Sequence, residues 1–217
     1  MKQYEGTGEV SARNRLNKKT PQAKEIKLPG GPLEKVHRKY LEKRGFDPDI
    51  IAEDYRVLGT SLVGEWKYRI IIPIYFRGKL VSFQGRDITD KQRLRYKSLE
   101  IEKSVIHYKH TLYNIDNCIG DTVVVFEGPT DVWRWGVGGV ATFSTAVTEQ
   151  QIWLLSRYRR VFFMFDTGEE SQGLALKAAR KLACMGVVVE VLDLEMERDP
   201  GELTESEVHE LRKDLRV

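Results

Sequence analysis

The clearest hydrophobic pattern lies in the second half of the chain, where four β-rich runs alternate with segments of helical character. The runs are TVVVFE, GGVATF, RVFFMF and VVVEVL. Such alternation is typical of βαβ units and predicts a mostly parallel four-stranded sheet flanked by helices. Ligands of such sheets bind beyond the carboxyl ends of the strands. We therefore expect an α/β fold whose functional residues directly follow the strands.

Two helices of this half have recognisable starts. Thr148 and Gln151 in TEQQ fit a capping box, which predicts a helix start at this point. A second helix, before Gly186, is predicted to start at Gly173, and its buried face is formed by small and apolar residues. That face comprises Leu174, Leu176, Ala178, Ala179 and Leu182.

The first half predicts two short helices followed by a hairpin. Pro32 opens an apolar-periodic run that stops at Gly45, and Asp47 can cap a second helix with Pro48 in its first turn. The runs RIIIPIYF and KLVSFQGRD flank Arg77-Gly78, the pattern of a β-hairpin. Pro73 makes the first of these strands a candidate edge strand.

These patterns divide the chain into three parts. Residues 1–31 are polar and basic, show no periodicity and predict a flexible arm. Residues 32–117 predict a small α+β subdomain, and residues 118–217 predict the α/β domain. The chain of 217 residues can bury one sizeable core or two small ones, so we expect two packed units.

The net charge of +3 conceals an asymmetry between the halves. Residues 1–117 hold 24 Lys and Arg against 15 Asp and Glu, a balance of +9, and residues 118–217 have a balance of −6. A positive surface attracts phosphate, and clustered carboxylates favour a hard divalent cation. Solvated helix faces and a disordered tail produce similar imbalances, so charge alone decides nothing.

Composition narrows the class of protein. The chain has no apolar run of about eighteen residues and no apolar stretch at its amino terminus, so we expect a soluble, cytoplasmic protein without membrane contact. Cys118 and Cys184 are far apart in sequence and are expected to be reduced. His107 and His110 have an HxxH spacing, but with two distant cysteines no zinc site is expected.

Acidic residues follow three of the four predicted strands. Glu127 starts EGPTD after the first strand, Asp166 follows the third, and Asp199 starts DPGE after the fourth. Carboxylates gathered at one sheet edge repel each other and are stabilised by a shared cation. An exposed acid at a strand end is also often solvated and inert.

As a set, EGPTD, FSTAVTEQQIWLL, FMFD and RDPGEL resemble the TOPRIM domain of bacterial DnaG-type DNA primases. Upstream, RIIIPIYFRGKLVSFQGRD is similar to the primase segment that precedes TOPRIM, and RYKS and HYKHTLYNID resemble the basic stretch that follows it. The resemblance covers roughly residues 35 to 205. It implies a TOPRIM domain preceded by a small α+β primase-core subdomain, and synthesis of RNA primers on single-stranded DNA from ribonucleoside triphosphates.

The resemblance also implies roles for individual residues. Glu127 matches the catalytic glutamate and either holds a metal or relays a proton. Asp131, Asp166 and Asp199 match acidic positions that bind Mg²⁺ or Mn²⁺, although Asp131 could instead be a helix-start charge favoured by the helix dipole. The basic positions that match or neighbour the template and nucleotide groove of the family are Arg86, Arg95, Lys97 and Lys109.

The chain departs from the family in its D-x-D motif. Two residues after Asp166 stands Gly168, which has no ligand atom. An insertion of about two residues before Gly173 would place Glu170 over the second aspartate, so we hypothesise that Glu170 completes the metal site beside Asp166. A solvated acidic helix start is the alternative.

We expect the chain to lack the zinc-binding and helicase-binding domains that the family normally carries, because the part that resembles the family leaves no room for them. We therefore expect a core typical of a phage or mobile element, with a separate zinc-binding protein or a replicative helicase as a possible partner. Two other functions stay open, a TOPRIM metal-dependent nuclease and a catalytically inactive nucleic-acid-binding protein. The upstream RIIIPI segment favours the primase.

Overall fold

The computed structural model describes residues 25–193 and 199–217. Most of the predicted arm, residues 1–24, lies outside the described residues. Its last part differs from the flexible arm that the sequence predicts, because Gly31 forms a β-bridge with Gly59, and Ile26 and Leu28 pack against the apolar cluster of Ile71, Phe83 and Leu99. The sequence did not predict this packing, because Ile26 and Leu28 stand among polar residues.

The amino-terminal unit is the predicted α+β unit. Helices α1 (Lys35–Lys43) and α2 (Pro48–Tyr55) precede an antiparallel sheet. Its strands, in the spatial order of the sheet, are β1 (Leu58–Gly59), β2 (Arg69–Phe76), β3 (Lys79–Asp87) and β4 (Tyr96–Ser98). Asp47 caps α2 as predicted, with Oδ1 2.8 Å from the backbone nitrogen of Asp49. Helix α1 begins at Lys35 rather than at Pro32, since Glu34 takes the cap position.

The hairpin between β2 and β3 turns at the two predicted residues. Arg77 and Gly78 both have positive φ, 53° and 73°, as the twist of a two-residue hairpin requires. Their backbone N–H groups donate to the two carboxylate oxygens of Asp116, each at 2.7 Å. The prediction that β2 is an edge strand is wrong, because β1 lies on its other side. Strand β1 pairs only with Ile70 and Ile71, however, so Pro73 interrupts no bond with β1.

The second unit has the predicted α/β architecture. Its strands β5 (Thr122–Phe126), β6 (Gly139–Ala141), β7 (Arg160–Phe163) and β8 (Val188–Val191) form a parallel sheet in the order β6-β5-β7-β8. The helices are α3 (Pro129–Trp135), α4 (Glu149–Leu155), α5 (Glu169–Cys184) and α6 (Glu205–Leu215). The α/β prediction and the four-stranded sheet are confirmed.

Helix starts in this unit follow capping chemistry. Thr148 and Gln151 form the predicted capping box of α4, and the backbone N–H of Thr148 donates to Gln151 Oε1 at 3.0 Å. Helix α5 begins at Glu169, four residues before the predicted start at Gly173. Acidic side chains in the first turn interact favourably with the helix dipole, and an interior glycine costs only about 1 kcal/mol. Glu169 and Glu170 therefore extend the helix towards β7.

The two units share one apolar core. Leu41 and Ile70 of the first unit belong to the same cluster of buried side chains as Phe126 and Trp133 of the second. The rings of Phe46 and Trp133 meet edge to face, with centroids 5.9 Å apart. This packing holds α1 and α2 against α3, beside the edge where β5 ends. Across the described residues, no helix is both long and apolar enough for a bilayer crossing.

Candidate active site

The ends of β5 and β7 bring two of the predicted acidic residues together. These strands are parallel neighbours, so their carboxyl ends meet at one edge of the sheet. Glu127 directly follows β5, and Asp166 lies three residues beyond β7. Glu127 Oε1 accepts the backbone N–H of Asp166 at 3.1 Å. One strand end is thereby fixed relative to the other.

Asp131 stands in the first turn of α3 and faces the same edge. Its Oδ2 accepts the backbone N–H of Gly128 at 3.0 Å, which closes the turn between β5 and α3. A Cβ placed on Gly201 would lie 2.6 Å from Asp131 Oδ1, so a larger residue at this position would have to displace the Asp131 carboxylate. Asp199 directly precedes the 3-10 turn Pro200–Glu202, which brings its side chain to the same place.

These four acidic residues line a cavity of about 250 Å³, called the acidic cavity below. Three arginines line it as well, one from the end of α1, one from β3 and one from just before β4. The charged residues of the lining are Glu127, Asp131, Asp166, Asp199, Arg44, Arg86 and Arg95. The cavity therefore lies between the two units, with the carboxylates on the α/β side and the guanidinium groups on the other.

Burial and mutual repulsion perturb two of the carboxylates. Burial, together with the charges of Glu127 and Asp199, raises the pKa of Asp166 to about 6, although Arg95 acts in the opposite direction. Burial also raises the pKa of Asp131 to about 7; the Gly128 N–H opposes this, and the three other carboxylates add to it. Such shifts are frequent at functional sites.

The donor chemistry of the cavity fits a divalent cation. In residues 25–193 and 199–217, no group of three or more His, Cys, Asp or Glu side chains is arranged to hold a metal ion. Mg²⁺ keeps several waters and commonly uses one or two protein carboxylates, so it does not require such a group. Burial is the main cause of the raised pKa values of Asp131 and Asp166, and a bound cation would favour the ionised forms of both groups. Glu127 and Asp166 are linked directly, through the bond between Glu127 Oε1 and the Asp166 backbone N–H.

Arg86 is the most buried of the predicted basic residues, with 2% of its surface exposed. Its Nε donates to the hydroxyl of Tyr40 at 2.9 Å, and its guanidinium lies 4.8 Å from the centroid of the Tyr96 ring. Its Nη2 is buried and has no hydrogen-bond partner among the described residues. A buried donor without a partner costs free energy, so this atom is suited to an anionic ligand in the cavity.

The other predicted basic residues are divided between environments. Arg95 is exposed and lines the acidic cavity. Lys97 lies instead in another cavity, where its amine pairs with Glu65 at 2.8 Å and rests over the ring of Trp66. Lys109 is half-buried and bonds to Ser144 Oγ, and burial lowers its pKa.

Two further placements differ from what the sequence indicates. Glu170 is exposed in the first turn of α5 and does not line the acidic cavity, so the structure does not bring it beside the four carboxylates. Arg44, by contrast, lines the cavity although the sequence did not single it out. Arg44 follows α1, which carries several other basic residues, and no local sequence pattern indicates which of these residues faces the site.

Comparison with known proteins gives concordant results. The Toprim-like family matches residues 124–204, which contain all of the carboxylates of the cavity. A DNA primase of Clostridium acetobutylicum is 29% identical over 153 residues, covering 65% of this chain and 25% of that protein. A DNA primase of Borreliella burgdorferi is 30% identical over 189 residues, covering 81% of this chain and 36% of that protein. The chain thus spans a quarter to just over a third of these relatives.

The fold has a counterpart among solved structures. The structure of the DnaG catalytic core matches with a TM-score of 0.69 and 22% sequence identity, over 84% of this chain and 74% of that one. The match includes both the amino-terminal unit and the parallel sheet, since it covers more than either alone.

Proposed function

Because the chain carries a Toprim-like domain and is homologous to DnaG-type DNA primases within their catalytic core, we propose that it synthesises short RNA primers on single-stranded DNA by Mg²⁺- or Mn²⁺-dependent nucleotidyl transfer. The observation that carries the proposal is the acidic cavity, in which four carboxylates face three arginines. In this reaction the 3′ hydroxyl of the growing strand attacks the α-phosphorus of a ribonucleoside triphosphate, and pyrophosphate leaves.

The carboxylates supply the cation site. Asp166 and Glu127 anchor it, and Asp131 and Asp199, which line the same cavity, add negative charge. When bound, the divalent cation would stabilise the attacking oxygen and the leaving pyrophosphate. Glu127 Oε1 is occupied by the backbone N–H of Asp166, so its other oxygen remains for the metal or for the proton of the 3′ hydroxyl.

The arginines orient the anionic substrates. Arg86 lines the cavity and is held in place by Tyr40 and Tyr96, so its guanidinium can bind a phosphate oxygen with little loss of conformational freedom. Arg95 reaches the same cavity from the exposed side. Guanidinium groups are well matched to phosphate oxygens in geometry and charge.

One assay tests the proposal against its alternatives. The purified chain is incubated with single-stranded DNA, ribonucleoside triphosphates and Mg²⁺ or Mn²⁺. We expect new oligoribonucleotides, and we expect none from Asp166→Asn. Shortened DNA would instead indicate a nuclease. Binding without either product, in the presence and absence of a separate zinc-binding protein or a replicative helicase, would indicate a nucleic-acid-binding protein.

A further inference from the structure

A second cavity adjoins the acidic cavity and follows helix α1. Its volume is about 630 Å³, and it lies between α1, the turn after β3 and the 3-10 turn Pro200–Glu202. Arg44 and Gly201 line both cavities, so the two spaces meet at these residues. We call the second cavity the α1 groove. The α1 residues that line it are Val36, Lys39, Tyr40, Lys43 and Arg44.

The α1 groove is positively charged. Its lining holds four cations and two acids, the latter being Asp90 and Glu202. Lys39 and Lys43 are exposed and stand four positions apart on α1, so they project from the same face of the helix. Neither forms an ion pair within the part of the chain that the structure describes.

Arg134, unlike the two lysines, forms hydrogen bonds with the backbone. It donates to the carbonyl oxygens of Arg44, Gly45 and Gly201, at 2.9, 3.2 and 3.3 Å respectively. These bonds hold the end of α1 against the loop after Asp199. Arg134 therefore stabilises the wall of the groove, whereas the exposed amines of Lys39 and Lys43 are available to bind a ligand.

The junction of the two cavities contains polar atoms with capacity for a ligand. The Nε of Arg44 is buried and has no hydrogen-bond partner among the described residues. Tyr40 connects the cavities as well, since its hydroxyl accepts from Arg86 in the acidic cavity while its side chain lines the α1 groove. An aromatic side chain among cations is suited to an unpaired base next to a phosphate.

We propose that the α1 groove binds the phosphate backbone of a single-stranded nucleic acid where the strand leaves the acidic cavity. This inference rests on the proposed function, because a polymerase must conduct a strand away from the site where it is extended. The acidic cavity has four carboxylates against three arginines, whereas the adjoining groove has four cations against two acids, so the groove attracts a phosphate backbone more strongly. Lys39 and Lys43 bind phosphates, and Tyr40 contacts a base.

The test is binding of a single-stranded DNA and of an RNA of the same sequence, measured by fluorescence anisotropy over a range of salt concentrations without added metal. The variant is Lys39→Gln/Lys43→Gln. Each phosphate contact contributes about 0.7 to the slope of log K against log salt for single strands, so we expect the slope to become shallower by roughly 1.4. The matched control, Lys177→Gln/Arg180→Gln on the exposed side of α5, is expected to keep the wild-type slope.

The outcomes separate this inference from the proposed function. If the slope becomes shallower for DNA alone, the groove binds the template strand. If it becomes shallower for RNA alone, the groove binds the product strand. If it becomes shallower for both, the groove contacts the phosphate backbone of either strand. Wild-type slopes in the lysine variant, or no binding of either strand by the wild type, overturn the inference even if primers are made. Absence of primer synthesis with the expected change in slope overturns the proposed function and leaves the groove in place. Thermal unfolding of the double variant verifies that the fold is retained.

Discussion

The side chain of Glu127 accepts a hydrogen bond from the backbone N–H of Asp166, with Oε1 3.1 Å from the nitrogen. The bond ties the end of β5 to the segment that follows β7. It also places a negative charge beside the carboxylate of Asp166 and so contributes to the raised pKa of that group. One contact therefore combines a structural bond with the electrostatics of the site, and the two effects can be separated by substitution.

Glu127→Gln keeps an oxygen that can accept the Asp166 N–H but removes the charge. We expect the pKa of Asp166 to fall, the free energy of unfolding not to decrease, and primer synthesis to fall at least about 100-fold. Glu127→Ala also loses the hydrogen bond and should be less stable by about 1 kcal/mol. Carboxylate titration by NMR, chemical unfolding and primer assays measure the three effects. Full synthesis by Glu127→Gln would contradict the role of Glu127.

The raised pKa values predict how stability depends on pH. Asp131 and Asp166 have pKa values of about 7 and about 6 in the folded chain, against 3.8 ordinarily, so the folded state binds more protons than the unfolded state between pH 4 and 7. The contribution of these groups to the free energy of unfolding therefore falls as the pH rises through this window and is constant above it. Unfolding of the wild type and of Asp131→Asn/Asp166→Asn at several pH values isolates this contribution.

A bound cation should reverse the effect. At pH 8 both carboxylates are ionised, so millimolar Mg²⁺ is expected to raise the unfolding temperature of the wild type, and at pH 5 it should do so much less. Asp131→Asn alone should stabilise the metal-free chain at pH 8 by up to about 4 kcal/mol, since the pKa of Asp131 is raised from 3.8 to about 7 and one unit corresponds to about 1.4 kcal/mol. Equal stabilisation by Mg²⁺ at both pH values would argue against a site at these carboxylates.

Arg95 and Lys97 are separated by one residue but have different surroundings. Arg95 lines the acidic cavity and lowers the pKa of Asp166, whereas Lys97 is paired with Glu65 in another cavity. We expect Arg95→Gln to weaken nucleic-acid binding and to make the slope of log K against log salt shallower by about 0.7. Lys97→Gln serves as the matched control and should change the slope less. The reverse order would place the strand over Trp66 instead.

Gly201 lies where its loop closely approaches the side chain of Asp131. A methyl group at this position would lie 2.6 Å from Asp131 Oδ1, so Gly201→Ala should displace the carboxylate, destabilise the fold by about 1–3 kcal/mol and weaken the response to Mg²⁺. Gly173→Ala is the control, because its Cβ would meet no atom within 4 Å and alanine favours the interior of α5. Equal behaviour of the two variants would rule out this constraint.

The sequence predicted those parts of the site that depend on local patterns. Alternating β-rich and helical segments were sufficient for the parallel sheet, and the acids after β5 and β7 were expected at one edge because parallel strands end together. The cation side of the cavity was harder to predict. No local sequence pattern shows that Arg44 lines the cavity and that Lys97 does not. The difference arises from tertiary contacts, namely the packing of α1 against α3 and the pairing of Lys97 with Glu65.

Glu170 presents a similar difficulty, and its role is open to a direct test. From the sequence, a shift of two residues aligns Glu170 with a missing aspartate, but this shift assumed that α5 starts at Gly173. Since α5 starts at Glu169, Glu170 lies exposed on its first turn, outside the acidic cavity, where the helix dipole accounts for a carboxylate. We therefore expect Glu170→Gln to bind Mg²⁺ as tightly as the matched control Glu169→Gln, and Asp166→Asn to lose binding. Calorimetric titration of the three variants decides the question. Loss of affinity in Glu170→Gln but not in Glu169→Gln would show that the Glu170 carboxylate reaches the cation after all, from a helix whose first turn rearranges when the metal binds.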